Sequence, residues 1–221
     1  MCIRDRVKKE ISHCLRGYVF QIVLSRKFTQ PYKGDDFNVY RKLRSINPSP
    51  YLFYFDYGNF KIFGSSPEAQ LIINNKKAEI HPIAGTFKRT GDDLYDKEKA
   101  KELLSDDKEN SEHMMLVDLA RNDLSRSCNN VVVEKDREIQ FYSHVIHLVS
   151  KVTGYLKSKS KEIIGNTFPA GTLTGAPKYK AMELINEYET SKRQFYGGAI
   201  GMIDIYGNFN HAIIIRSVSY T

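Results

Sequence analysis

Residues 51–86 constrain the fold more than any other part of the chain: YLFYFDYGNFKIFGSSPEAQLIINNKKAEIHPIAGT. The run is dense in aromatic and β-branched residues, the types that suit a pleated, half-buried surface. Turn signals cut it at residues 57–59 (Tyr-Gly-Asn), 64–67 and 74–77. It reads as three strands. Connections this short join antiparallel neighbours, because a parallel crossover needs about a dozen residues or more.

The flanks add helices. DDFNVYRKLRSI spaces Phe37, Tyr40, Leu43 and Ile46 at helical intervals, and NPSP at 47–50 stops that helix. Residues 17–27, GYVFQIVLSRK, read as a strand. From about Leu94 to Leu119 the chain reads as one charged helix, with apolar spacing emerging at Met114, Met115, Leu116 and Leu119. Strands are expected at about 130–135 and 140–153, and helices at 159–166 and 177–189. A closing hairpin turns at Tyr206-Gly207-Asn208. Strands outnumber helices and most connections are antiparallel, so the fold class is α+β. Both ends read as cut. Residues 1–16 read as an N-terminal segment in which MCIRDR has no structural role and is foreign in part.

A chain of 221 residues can bury a full core. Its 41% hydrophobic and 27% charged residues are those of a soluble globular protein. No apolar run approaches the roughly 20 residues of a membrane span. The first residues lack the apolar stretch of a signal peptide. Cys2, Cys14 and Cys128 form no C-x-x-C pair, which fits a reduced, cytoplasmic protein with no membrane partner. The net charge is +7, yet 33 Lys and Arg interleave with 26 Asp and Glu, as in YDKEKAKELLSDDKENSEH. Interleaved signs mark solvated faces. A nucleic-acid partner is not expected, whereas a small anionic substrate suits the bias.

Several short stretches carry possible chemistry. FPAGTLTGAPKYKAMELI places Gly171, Thr172, Thr174, Gly175 and Pro177 ahead of a helix bearing Lys178. The spacing is not that of a phosphate loop, which needs G-x-x-x-x-G-K-[ST]. Pro177 sits where the first helical residue should be. The loop is either a plain glycine turn or an anion-facing helix start. In KENSEHMMLVDLARND, Glu109 and Glu112 are three apart and share a helix face. They are a solvent-facing pair or the ligands of a hard cation such as magnesium. GSSPE ends in Glu68, a turn carboxyl that could serve as a general acid if its pKa were raised. In HPIAGT, Gly85 permits close backbone approach to a ligand. His144 and His147 in SHVIH would face opposite ways on a strand. Arg216 ends the apolar run HAIIIRS, placed to pair with a core acid or to hold a carboxylate.

Together and in this order, FQIVLSRKF, INPSPYLFYFDYGNFKIFGSSPE, HPIAGT, KENSEHMMLVDLARNDLSR, YSHVIHLVSKVTG, FPAGTLTGAPKYKAMELI, YGGAIGMID and AIIIRS resemble the chorismate-binding enzyme family, most closely its anthranilate synthase component I branch. The resemblance runs from about Gly17 to the end, so residues 17–221 read as part of one catalytic domain. It implies two facing, mostly antiparallel sheets with outer helices and the active site in the cleft between them. It implies conversion of chorismate and ammonia to anthranilate and pyruvate, with ammonia supplied by a glutamine amidotransferase subunit. Magnesium would be held by Glu112, with Glu109 beside it. Glu68 resembles the general acid for the departing hydroxyl, and His147 the active-site histidine of the elimination half. Gly85, Thr86, Tyr196 and Arg216 would hold the substrate, with Thr172 and Gly175 lining the same anionic pocket. Pro50, Tyr51 and Leu52 resemble part of a tryptophan feedback site.

Two positions bear on the branch. Isochorismate-forming members carry a lysine base where this chain has Gln21, and many aminodeoxychorismate synthases carry a nucleophilic lysine where it has Ala84. Both point to anthranilate; aminodeoxychorismate synthase and a non-catalytic chorismate-binding fragment are the alternatives. After AGT the family usually has Arg-Pro-Arg-Gly, and this chain has Phe87-Lys88-Arg89-Thr90, keeping only Arg89 in register. The family pattern also continues past IRS into a glycine-rich stretch and another magnesium-binding glutamate. The expectation is therefore that this chain by itself is weakly active or inactive.

Overall fold

The computed structural model describes residues 3–142, 144–157 and 160–221. In chain order it runs α1 (Ile3–Leu15), β1 (Gln21–Ile22), α2 (Asp36–Ile46), β2 (Tyr51–Asp56), β3 (Lys61–Ser66), β4 (Ala69–Asn74), β5 (Lys77–Ile80) and β6 (Ile83–Lys88). Then come α3 (Asp93–Ser105), α4 (Asp107–Ser125), β7 (Cys128–Phe141), β8 (Val145–Leu156) and α5 (Ser160–Thr167). A single 3₁₀ turn (Gly171–Leu173) leads into β9 (Gly175–Ala176), α6 (Lys178–Tyr188), β10 (Ala199–Ile203), β11 (Phe209–Ile213) and β12 (Ser217–Tyr220). The fold is α+β, as the alternating and helical spacings imply.

Among the described residues the strands form a seven-stranded sheet, a three-stranded sheet ordered β12-β3-β2, and the short β1–β9 pair, all antiparallel. The large sheet is organised by β8, which pairs with β7 along one edge and with β5 and β6 end to end along the other. Both edges of β8 are therefore paired, and Ile146, Leu148, Val149 and Val152 are buried. Helix α4 lays Val117, Ala120 and Leu124 on Leu71, Ile73 and Val152, and α5 adds Ile163. Helix α3 packs Ala100 and Leu103 on Ile146 and Leu148. The three-stranded sheet meets the large one through Phe53, Ile62 and Ile214, with Phe60 and Ile200 beside them.

The elements differ from the sequence expectation at five places. Residues 51–86 hold five strands, not three, because the chain runs on without reversing where β3 gives way to β4 at Pro67-Glu68 and where β5 gives way to β6 at His81-Pro82. The long helix is two, broken at Asp106, whose carboxylate accepts the Glu109 N–H at 2.9 Å and so starts α4 afresh. Of residues 17–27 only Gln21 and Ile22 pair, with Ala176 and Gly175. Residues 3–15 are a helix, tied to α6 where His13 Nε2 lies 2.9 Å from the Tyr188 hydroxyl. The last apolar run breaks after Ile213; Arg216 takes a left-handed φ of 50°, and β12 joins the other sheet.

Candidate active site

Glu68 occupies the corner between β3 and β4. The corner is pinned from two sides: Glu68 O accepts the Ile213 N–H at 3.0 Å, and the Glu68 N–H reaches Ser66 Oγ at 3.4 Å. The Thr172 hydroxyl of the 3₁₀ turn donates to Glu68 Oε1 at 3.0 Å. Burial of the carboxyl pushes its pKa up to about 7, against the opposing pull of the Thr172 hydrogen bond and the Arg216 charge. At neutral pH such a carboxyl can give or take a proton, as a general acid must.

His147 faces this region from β8. The β6–β8 register shifts between Ala84 and Thr86, and at that bulge Gly85 adopts φ 73°. Its carbonyl lies 3.1 Å from His147 Nδ1. A carbonyl only accepts, so Nδ1 carries the hydrogen and Nε2 keeps its lone pair. Thr86 Oγ1 stands 3.0 Å from the same nitrogen. Burial lowers the imidazole pKa, and the Arg216 charge adds to this against the Gly85 bond, so the ring is neutral at pH 7. The Tyr142 ring stands edge-on to it, centroids 5.3 Å apart, and burial together with the Glu68 charge raises the Tyr142 hydroxyl pKa. His144 lies just before β8 and is exposed, so strand alternation does not govern it.

Glu109 and Glu112 sit in the first two turns of α4, on one face. A side chain at Gly85 would come within 3.5 Å of Glu109 Oε2 and 3.0 Å of Leu103, so glycine lets the β6 backbone close on this helix. Gln21 Nε2 donates to Glu112 Oε1 at 3.0 Å. Neither glutamate pairs with a cationic side chain among the described residues. Two unneutralised carboxylates fit a hard cation that takes its remaining oxygens from water and substrate. No third acid, histidine or cysteine joins them among the described residues.

Tyr196 and Arg216 line one cavity of about 420 Å³. The Arg216 side chain is exposed and pairs with no carboxylate among the described residues, and its charge acts on both Glu68 and His147. The remaining residues have other surroundings. Gly175 is buried in the β1–β9 pair, where a Cβ would stand 2.1 Å from Gln21 O; its freedom serves that strand contact. Lys178 is committed to Asp123 at 2.5 Å and to Thr167 O at 2.7 Å, and Pro177 precedes the first turn of α6 instead of opening it. Arg89 ties β6 to α3 through Asp96 at 3.0 Å. Pro50 is exposed ahead of β2, Leu52 is exposed on it, and Tyr51 pairs with Ser66.

The sequence reading missed Tyr142, Gln70 and the Arg193 latch. Arg193 pairs with Glu189 at 2.6 Å and donates to Leu173 O and Val23 O, both at 2.6 Å, holding the 3₁₀ turn that carries Thr172. Local spacing gives no sign of the Arg193 contacts to Leu173 and Val23, because those partners lie far along the chain.

Residues 4–221 match the family described as chorismate binding enzyme. The chain belongs to that family. The match begins ahead of Gly17 and takes in nearly all of α1. Among curated proteins, anthranilate synthase component 1 of Aquifex aeolicus is 46% identical over 220 residues, covering 98% of this chain and 44% of the relative. The crystal structure of anthranilate synthase component I from Streptococcus pneumoniae matches with TM-score 0.90 and 40% identity, over 97% of this chain and 48% of that one. A putative 2,3-dihydroxybenzoate-specific isochorismate synthase from Bacillus anthracis matches with TM-score 0.85 and 27% identity, over 98% of this chain and 61% of that one. The chain thus spans about half the length of these family members. No helix among the described residues is long and apolar enough to cross a membrane.

Proposed function

We propose that this chain carries the chorismate-converting site of an anthranilate synthase component I. The observation that carries the reading is the pairing of two opposed proton carriers: a Glu68 carboxyl raised to about 7 and a neutral His147 with a free Nε2. In this reading the two carboxylates of chorismate lie on Arg216 and Tyr196, which line the cavity of about 420 Å³. Protonated Glu68 gives its proton to the C4 hydroxyl, which leaves as water while ammonia adds at C2. His147 Nε2 takes a proton in the second half, when pyruvate leaves and the ring becomes aromatic. Gly85 and Thr86 hold the imidazole in the tautomer this requires. Glu112 and Glu109 would hold Mg2+, which neutralises and orients the ring carboxylate when bound.

Gln21 supports the anthranilate assignment over isochorismate. Its amide nitrogen is spent on Glu112, and an amide is not basic enough to activate water as a lysine amine would. Ala84 is buried and offers no nucleophile. Ammonia would come from a glutamine amidotransferase subunit in the cytoplasm, and tryptophan would act as feedback inhibitor near Pro50, Tyr51 and Leu52.

The test is incubation with chorismate, Mg2+ and an ammonium salt, using the chain alone and within a protein of its relatives' length. Anthranilate, identified by mass and fluorescence from the longer protein, is the expected product, with little or none from the chain alone. Isochorismate or aminodeoxychorismate as product would overturn the branch assignment, and failure to bind chorismate would overturn the site.

A further inference from the structure

Gln70, two residues past Glu68 on β4, is 4% exposed, and neither its amide oxygen nor its amide nitrogen has a partner among the described residues. A buried amide in that position is costly, because each group has given up water without replacement. The residue lines a second, small cavity of about 40 Å³ behind the active-site corner. Glu68 and Thr172 form one side of it, His81 and Asp123 another, and Leu116 contributes an apolar wall.

The charges around this space restrict what it can take. Asp123 is already neutralised by Lys178, so no free anion calls for a cation there. The Glu68 carboxyl opposes an anion. The unpartnered amide opposes an apolar guest. What fits is a small neutral molecule that both donates and accepts. One water needs about 10–15 Å³ of such space, so the cavity admits about three or four.

We propose that ordered water fills this cavity, hydrogen-bonded to the Gln70 amide, and forms the internal relay that returns a proton to Glu68 after each turnover. The step is a proton transfer only. Glu68 has lost a proton to the departing hydroxyl and stands as carboxylate. The nearest water gives it a proton and is itself reprotonated by the next, with bulk water as the source and no other group changed. His81 stands in the wall of the cavity, partly exposed and 3.2 Å from Glu79. The charged and titratable groups that face Glu68 are Arg216 and Tyr142 on the substrate side, and His81 and the Asp123–Lys178 pair across the cavity. Gln70 is a positioning residue: it touches the water and not the substrate.

The proton-return role rests on the reading of Glu68 as the acid, whereas the water site stands on its own geometry. The experiment separates the two. A high-resolution crystal structure of this chain is expected to show water within hydrogen-bond distance of the Gln70 amide and a chain of density reaching Glu68. A dry or collapsed cavity, with the amide bonded to protein atoms, would overturn the proposal whatever the chain does with chorismate. In Gln70→Leu, read by ¹³C NMR of the glutamate carboxyls, the Glu68 midpoint is expected to rise by about one pH unit as the polar surroundings are lost. An unchanged midpoint would overturn it. Gln70→Met, unbranched and of similar length, is read in the same way if the leucine variant does not fold.

Discussion

Glu68 is where single atoms decide most. With Glu68 as the proposed acid, turnover in a protein of full family length is expected to fall as pH rises through about 7, because that acid must enter protonated. Glu68→Gln should lower kcat by about 10²–10⁴-fold, measured as anthranilate fluorescence. The same group predicts a stability effect of definite sign. Its folded pKa lies above the ordinary 4.5, so the folded state favours the proton and stability drains away as pH climbs from 4.5 through about 7. Thermal melts of Glu68→Gln should lack that decline, leaving the variant more stable than the parent above neutrality. Thr172→Val removes the hydroxyl that donates to the carboxylate, so the Glu68 midpoint should move higher still and the alkaline limb of the rate profile with it. A lower midpoint by NMR would contradict this account of the hydrogen bond.

Among the elements, the segment from the 3₁₀ turn to α6 is the one most dependent on its partners. Lys178 and Asp123 are both nearly buried and joined at 2.5 Å, so α6 starts against α4. Lys178→Met alone leaves a buried carboxylate without its cation and should cost about 3–5 kcal/mol in urea unfolding. Adding Asp123→Asn should recover part of that loss, since the uncompensated charge goes with it. Gly175→Ala forces a Cβ against Gln21 O at a φ of 137°, and should break the β1–β9 pair and free Gln21 from Glu112. A crystal structure of that variant with both contacts intact would contradict this. The element scale is also where the sequence could be read best and where it misled. Phe37, Tyr40, Leu43 and Ile46 announced α2 by spacing alone, and the Gly207 turn announced the β10–β11 hairpin. The break at Asp106 was hidden, because charged helix formers continue across it and only the cap geometry reveals the new start. Residues 17–27 have strand composition, yet most of them lack a neighbour to pair with.

At the scale of the whole molecule, the two main sheets are unequal. Strand β8 is enclosed by β5, β6 and β7 and by helices α3 and α4, whereas the three-stranded sheet is held to the rest by the smaller Phe53–Ile62–Ile214 cluster. Hydrogen exchange should therefore find the slowest amides within residues 146–152 and much faster exchange in β2 and β12. Equal protection of the two sheets would show that they open as one unit. The site lies where elements of both meet: Glu68 at the corner leaving β3 and Arg216 at the entry to β12 on one side, His147 on β8 and the two glutamates of α4 on the other.

The sequence by itself determined the residue types, the antiparallel α+β plan and the ordered motifs by which the family can be recognised. Those are local properties, written in turn chemistry, periodicity and the order of short stretches along one chain. Tertiary structure alone decided how the side chains behave. Burial and the distant Thr172 and Arg216 set the proton affinity of Glu68. A carbonyl freed by a bulge chose the tautomer of His147. An ion pair with Asp123 removed Lys178 from the site, and a strand partner claimed Gly175. Each of these is a property of neighbours brought close by folding, and dielectric, hydrogen bonding and steric contact are set by such neighbours and not by position along the chain.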